Sequence, residues 1–153
     1  MSQNTPEMSY EEHAIAKLRS AGYRITMPRV QVIRALGEAD QALGVYQIHE
    51  RILASKGKID VVSVYRILYT FQEPNVGVVR HIGLVDGYVK YQTPKGQGSV
   101  FLVDLETKEV HTYPSGSLLD GVAQTLVEAG VDVDKLDLGS LNVEIPLKKG
   151  QHL

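Results

Sequence analysis

The 153-residue chain contains no cysteine. That excludes disulfides, thiolate zinc sites and cysteine nucleophiles. No apolar run approaches the ~20 residues that a membrane-spanning helix requires. The N-terminus, M-S-Q-N-T-P-E-M, is polar and acidic and lacks the pattern of a signal peptide. The expectation is a cytoplasmic protein with no membrane partner. There is no G-x-S-x-G, no glycine-rich phosphate loop and no H-E-x-x-H. No spacing sets a carboxylate beside a base as an acid/base pair, so the chain is not expected to be an enzyme or to carry a cofactor. An excess of positive charge is also absent: the net charge is −2.

Hydrophobic residues make up 43% and charged residues 22%, the balance of a globular protein. The charge is unevenly spread. Residues 1–85 hold ten Lys/Arg and eight Asp/Glu, net +2, whereas residues 86–153 hold six and ten, net −4. A basic half joined to an acidic half fits a DNA-binding region attached to a partner region. The excess is modest, so it supports only moderate, salt-sensitive affinity.

The most informative stretch is residues 60–73, D-V-V-S-V-Y-R-I-L-Y-T-F-Q-E. Val64, Leu68 and Phe71, with Ile67 beside them, recur at helical spacing. Asp60 is a candidate N-cap and Pro74 a stop. The other face shows Ser63, Tyr65, Arg66 and Tyr69. Hydroxyl, phenol and guanidinium groups on one exposed helix suit DNA recognition, because Arg and Tyr bind phosphates and Arg also pairs with guanine edges in the major groove.

The surroundings agree. Residues 1–8 read as a disordered tail. Ser9 and Glu12 form a capping box for a first helix with Ala14, Ile15 and Leu18 on its face, stopped by Gly22. Arg24 lies on a connector before Thr26, the cap of a second helix with Pro28 in its first turn and Val30, Ile33 and Leu36 as its stripe. Arg29 and Arg34 lie off that stripe. Val45, Ile48, Ile52 and Leu53 mark a third helix, stopped by Gly57. Helix, short turn, helix is the helix-turn-helix layout, with residues 60–73 in the groove-facing position. Two runs, 76–82 and 88–93, form a hairpin, hence a wing, with Arg80 and Lys90 available for phosphates.

P-K-G-Q-G, residues 94–98, reads as a hinge. Beyond it come strands at 99–104 and 109–113. A helix follows, capped by Ser117, with Leu118, Val122 and Leu126 on its face. A final strand alternates Leu141, Val143, Ile145 and Leu147 with polar residues, and Pro146 suggests an edge position. The predicted fold class is α+β: a winged helix-turn-helix domain over 9–93 and a small α/β dimerisation domain over 99–153. Three strands and one helix bury little apolar surface alone. A homodimer through residues 99–147 would cover it and match two half-sites on DNA.

The blocks A-G-Y-R-I-T-M-P-R (21–29), V-Y-Q-I-H-E-R-I (45–52), V-V-S-V-Y-R-I-L (61–68) and V-V-R-H (78–81), in this order, resemble the ferric uptake regulator family of metal-sensing bacterial repressors. The resemblance is good over residues 9–93 and weaker but collinear over 94–147. It implies a winged-helix DNA-binding domain, a dimerisation domain and DNA contacts at Arg24, Tyr65 and Arg66. With the residues above, the candidate DNA-binding set is Arg24, Arg29, Ser63, Tyr65, Arg66, Tyr69 and Arg80.

The chain departs from the family at its metal ligands. The histidine-rich run before the strand of the second domain is here Gln97-Gly98-Ser99-Val100-Phe101. The zinc C-x-x-C positions hold Asp104 and Thr107. A carboxylate ligand becomes Gln92, and two histidines become Leu141 and Ala42 or its neighbour. A zinc or iron site needs three or four converging N, O or S donors. No metal is therefore expected at the usual sites. The five histidines, His13, His49, His81, His111 and His152, show no ligand spacing. Two other readings stay open: a degenerate interaction module that pairs with a ligand-bearing relative, and a metal sensor with ligands relocated to His111, Asp104 or Asp86.

Overall fold

The computed structural model describes residues 8–94 and 96–153, with Ser140 described by its backbone. The expected disordered tail lies, but for Met8, outside these residues, as does Lys95 of the expected hinge. The described chain forms two compact units. The first runs through Ile82 and resumes over Asp86–Gln92; the second comprises Gly83–Val85 and the residues from Thr93 onward.

The first unit is a four-helix cluster with a hairpin: α1 (Tyr10–Ser20), α2 (Met27–Gly37), α3 (Val45–Ala54), α4 (Val61–Phe71), β1 (Val79–Ile82) and β2 (Gly87–Lys90). Short polar side chains start three of the helices. Ser9 Oγ accepts from the Glu12 N–H at 3.1 Å, Thr26 Oγ1 from the Arg29 N–H at 3.5 Å, and Asp60 Oδ1 from the Ser63 N–H at 2.7 Å. Each satisfies a first-turn donor that has no partner within its own helix. For α3 the side chain of Gln47 reaches back to accept from the Gly44 N–H at 2.8 Å. Leu18, Ile33, Leu36, Ile48, Leu68 and Phe71 meet in one fully buried core. Tyr10 donates its hydroxyl to the Val78 carbonyl at 2.7 Å, tying α1 to the chain before β1.

Gly57 ends α3 for a reason other than backbone freedom. Lys56 takes the left-handed conformation, with φ 62°, and the Gly57 N–H bonds the Ile52 carbonyl at 2.9 Å. A Cβ on Gly57 would lie 2.6 Å from Gln31 Nε2 and 2.7 Å from Ile52 Cγ2. The strand expected over 76–82 begins only at Val79. Val76 and Val78 go into the core instead, because the N–H groups of Val76 and Gly77 turn back to the Glu73 carbonyl. β1 and β2 are antiparallel, with Arg80 opposite Val89 and His81 opposite Tyr88. Leu43 adds a single antiparallel bridge to Tyr88.

The second unit holds β3 (Gly98–Val103), β4 (Val110–Ser115), α5 (Gly116–Glu128) and β5 (Asn142–Pro146). The sheet order is β4-β3-β5; β3 runs antiparallel to β4 and parallel to β5. Pro146 thus lies on an edge strand, where its missing N–H costs no ladder bond. Ser115, not Ser117, caps α5: its Oγ accepts from the Leu118 N–H at 3.2 Å, and the helix begins at Gly116. Gly98, expected in the hinge, is already paired in β3 with Ser115. The Gly83–Val85 segment belongs here because Glu144 accepts from the N–H groups of Gly83 and Leu84 at 3.1 and 2.9 Å.

Candidate nucleic-acid interface

α4 has two different sides. Val64, Ile67, Leu68 and Phe71 are buried. Tyr65 is 52% and Tyr69 72% exposed, and Arg66 is exposed. Arg66 makes no hydrogen bond or ion pair within the described residues. Val62, 58% exposed, joins this face one turn earlier, since positions i, i+3, i+4 and i+7 share a side of a helix. In the sequence, the phase of Val62 with Tyr65, Arg66 and Tyr69 is the signal that sets it on this face. An exposed valine beside such residues suits apolar contact with a thymine methyl group.

Ser63 stands apart. It is half-buried, and both its N–H and its hydroxyl serve Asp60, holding that carboxyl below its usual range, with Arg66 adding a smaller effect of the same sign. Ser63 is therefore part of the helix cap and lies off the exposed face. Tyr46, in the first turn of α3, is 67% exposed. It projects from the helix that crosses the backbone in a helix-turn-helix.

Arg24 and Arg29 come together in unequal states. Arg24 is exposed, and its side chain has no partner among the described residues. Arg29 folds back along the connector. Its Nη1 donates to the Arg24 carbonyl at 2.6 Å, and its Cζ lies 5.3 Å from the centre of the Tyr23 ring.

In the hairpin, the Arg80 guanidinium stacks on Tyr91 at 4.1 Å, and its Nε is buried without a hydrogen-bond partner. Lys90, expected to meet phosphates, instead donates to the Gly37 carbonyl at 2.9 Å. A cation at a helix C-terminus completes the last carbonyls there. His81 pairs with Asp86 at 2.8 Å and meets Tyr88 edge to face. Burial, then Asp86 and Tyr65, push the Tyr88 phenol up.

The model of the ferric uptake regulator family matches residues 20–140. The chain belongs to the ferric uptake regulator family. The ferric uptake regulation protein of Pseudomonas fluorescens is 30% identical over 101 residues, 65% of this chain and 80% of that protein. That of Pseudomonas putida is 24% identical over 119 residues, 77% and 87%. Among solved structures, a zinc uptake regulator complexed with zinc and DNA superposes with a TM-score of 0.69 at 18% identity, covering 93% of this chain and 94% of that one. A ferric uptake regulator from Pseudomonas aeruginosa with manganese gives 0.59 at 21% identity, covering 89% and 98%. At these identities the structures speak to fold: an N-terminal winged helix followed by an α/β unit. Members of the family are transcription regulators, not enzymes.

The residues that the resemblance sets at the family's metal-ligand positions have packing or hydrogen-bond partners of their own. Ala42 is 1% exposed, and a Cβ on Gly87 would lie 2.8 Å from its own Cβ, so nothing larger fits between them. Gln92 donates to the Met8 carbonyl at 2.9 Å. Asp104, 1% exposed, accepts from the Glu106 and Thr107 N–H groups on Oδ1 and from His152 Nδ1 on Oδ2. Thr107 Oγ1 accepts from the Glu109 N–H. Leu141 joins the sheet by its backbone, its carbonyl accepting from the Ser99 N–H. The histidines are dispersed: His49 on the Ile59 carbonyl, His111 on Glu109, His152 between Asp104 and Glu106. Among the described residues no three His, Asp or Glu are grouped to hold a metal ion.

Proposed function

We propose that this family member is a cytoplasmic, homodimeric repressor that reads double-stranded DNA with α4 and is not controlled by metal at the family's usual positions. The observation that carries the reading is the two-sidedness of α4. Its apolar stripe is buried, and Val62, Tyr65, Arg66 and Tyr69 stand free on the opposite side. Tyr65 and Arg66 take the base edges or phosphates of the major groove, Tyr69 a flanking phosphate, and Arg24 a phosphate beside it. Arg80 meets phosphate only through the part of its guanidinium beyond Tyr91.

The DNA-binding domain is assigned to residues 9–93 apart from the Gly83–Val85 segment, and the dimerisation domain to the residues from Gly98 onward, joined through 94–97. The second unit supports a partner copy. Among its described residues only Phe101 and Val103 are fully buried apolar side chains. The Leu118, Val122 and Leu126 face of α5 lines an open groove. The ordinary remedy for a half-finished apolar core is a second copy.

Among the described residues no helix is long and apolar enough to cross a membrane. Freedom from metal is supported by the alternative work found for Ala42, Gln92, Asp104, Thr107 and Leu141. Arg66→Ala tests the central assignment. If Arg66 makes a bidentate base contact, the loss is about 1–3 kcal/mol of affinity for a duplex selected by the parent protein from a random pool. An Arg66→Ala protein that binds that duplex as tightly as the parent overturns it.

A further inference from the structure

Arg24 and Arg29 have the same charge, five residues apart, yet only the Arg24 side chain has no partner among the described residues. The connector between α1 and α2 is anchored on its α1 side, where the Tyr23 N–H bonds the Leu18 carbonyl at 2.9 Å, and it packs Tyr23 and Ile25 only partly against the core. It carries no buried side chain between Leu18 and Val32, and the cap at Thr26 is long, at 3.5 Å. Across it lies the Arg29 guanidinium, with one end on the Arg24 carbonyl at 2.6 Å and its plane 5.3 Å from the Tyr23 ring. A planar guanidinium suits this double duty, because it donates in its plane while stacking on an aromatic ring. The backbone it grips is that of the residue whose side chain projects freely into solvent.

We propose that Arg29 is a positioning residue: it braces the backbone of Arg24, so that Arg24 meets DNA already ordered, and makes no phosphate contact of its own. This rests on the reading of Arg24 as a DNA contact. Without the brace, the connector must be ordered at the moment of binding, and that cost comes out of the affinity. The two roles leave different marks. A cation that neutralises a phosphate releases counterions and contributes about 0.9 to the slope of log affinity against log salt. A brace contributes nothing to that slope. It acts through its partner, so its effect vanishes when the partner is gone.

The experiment measures binding of a parent-selected duplex over a range of salt concentrations for the parent, Arg24→Ala, Arg29→Ala and the double variant. Arg29→Ala is expected to weaken binding about 3- to 10-fold with the parent's salt slope. Arg24→Ala is expected to lower the slope by about 0.9, and the double variant to match Arg24→Ala alone. Arg29→Gln stands in if the alanine variant does not fold, since it also removes the charge. Amide hydrogen exchange on the free protein gives a readout independent of DNA: the amides of Arg24, Ile25 and Thr26 should exchange faster without Arg29. A slope that falls by about 0.9 for Arg29→Ala, a further loss in the double variant, or unchanged affinity overturns the brace. If Arg24→Ala keeps both the parent's affinity and its slope, the DNA role of Arg24 fails; unchanged exchange then overturns the brace as well.

Discussion

One carboxylate, that of Asp104, organises the turn between β3 and β4 and also the end of the chain. The Thr107 N–H is the main cause holding its carboxyl well below the usual range; His152 and the Glu106 N–H add to this, and burial opposes it. In return, the hydrogen bond and charge of Asp104 raise the His152 pKa above its ordinary 6.5. A raised histidine pKa stabilises the folded state fully below about 6.5, and that contribution is lost as pH rises through the raised value. A depressed carboxyl contributes above its ordinary 3.8, and its contribution is lost as pH falls through the lowered value. The contact is therefore strongest in mildly acidic solution. NMR titration of the His152 ring should give a midpoint above 6.5 that falls toward the ordinary value in Asp104→Asn; a midpoint at or below 6.5 in the parent would remove the contact from solution.

Elements meet backbone to backbone where Gly87 of β2 passes the loop before α3. A Cβ there would lie 2.8 Å from Ala42 Cβ, 3.1 Å from the Ala42 carbonyl carbon and 3.2 Å from the Leu43 nitrogen. Two of these three neighbours are backbone and cannot rotate away. The Leu43–Tyr88 pair, bonded at 3.0 and 2.8 Å, would have to open. Gly87→Ala should cost about 1–3 kcal/mol of stability, as overpacking does, with an unchanged denaturant slope. Urea unfolding of the variant at the parent's midpoint would show that the loop yields freely.

At the scale of the whole molecule, the two units are unequally finished. The first closes a core around Phe71, Ile48 and Leu36, whereas the second fully buries only Phe101 and Val103 as apolar side chains among its described residues. A partner copy that completes the second unit makes stability depend on concentration. The melting temperature should rise with protein concentration, and sedimentation should show a dimer; a monomer at every concentration would remove the premise. The same purified dimer decides the question of metal. Binding of the selected duplex should be indifferent to chelator, and elemental analysis after incubation with zinc and iron should find no stoichiometric metal. Stoichiometric metal with chelator-sensitive binding would show that ligands converge from positions outside the family's pattern.

What the sequence determined by itself was local and periodic. The buried stripe of α4, the caps at Ser9, Thr26 and Asp60, and the edge position of Pro146 follow from spacing and from the donors that every helix start or strand exposes. The order of the motif blocks was enough to indicate the family and the winged-helix architecture. Only the tertiary structure decided how identical residue types divide their work. Arg66 makes no hydrogen bond or ion pair among the described residues, while Arg29 donates to the Arg24 carbonyl and Lys90 to the Gly37 carbonyl at the end of α2. Ser63 serves a cap, and Ser115 rather than Ser117 starts α5. Gly57 is set by Gln31 and Ile52, residues 26 and 5 positions earlier. The reason is common to all of them: a side chain's role depends on which unsatisfied group lies within hydrogen-bond reach or which atom occupies its space, and those neighbours are assembled by the fold from distant parts of the chain.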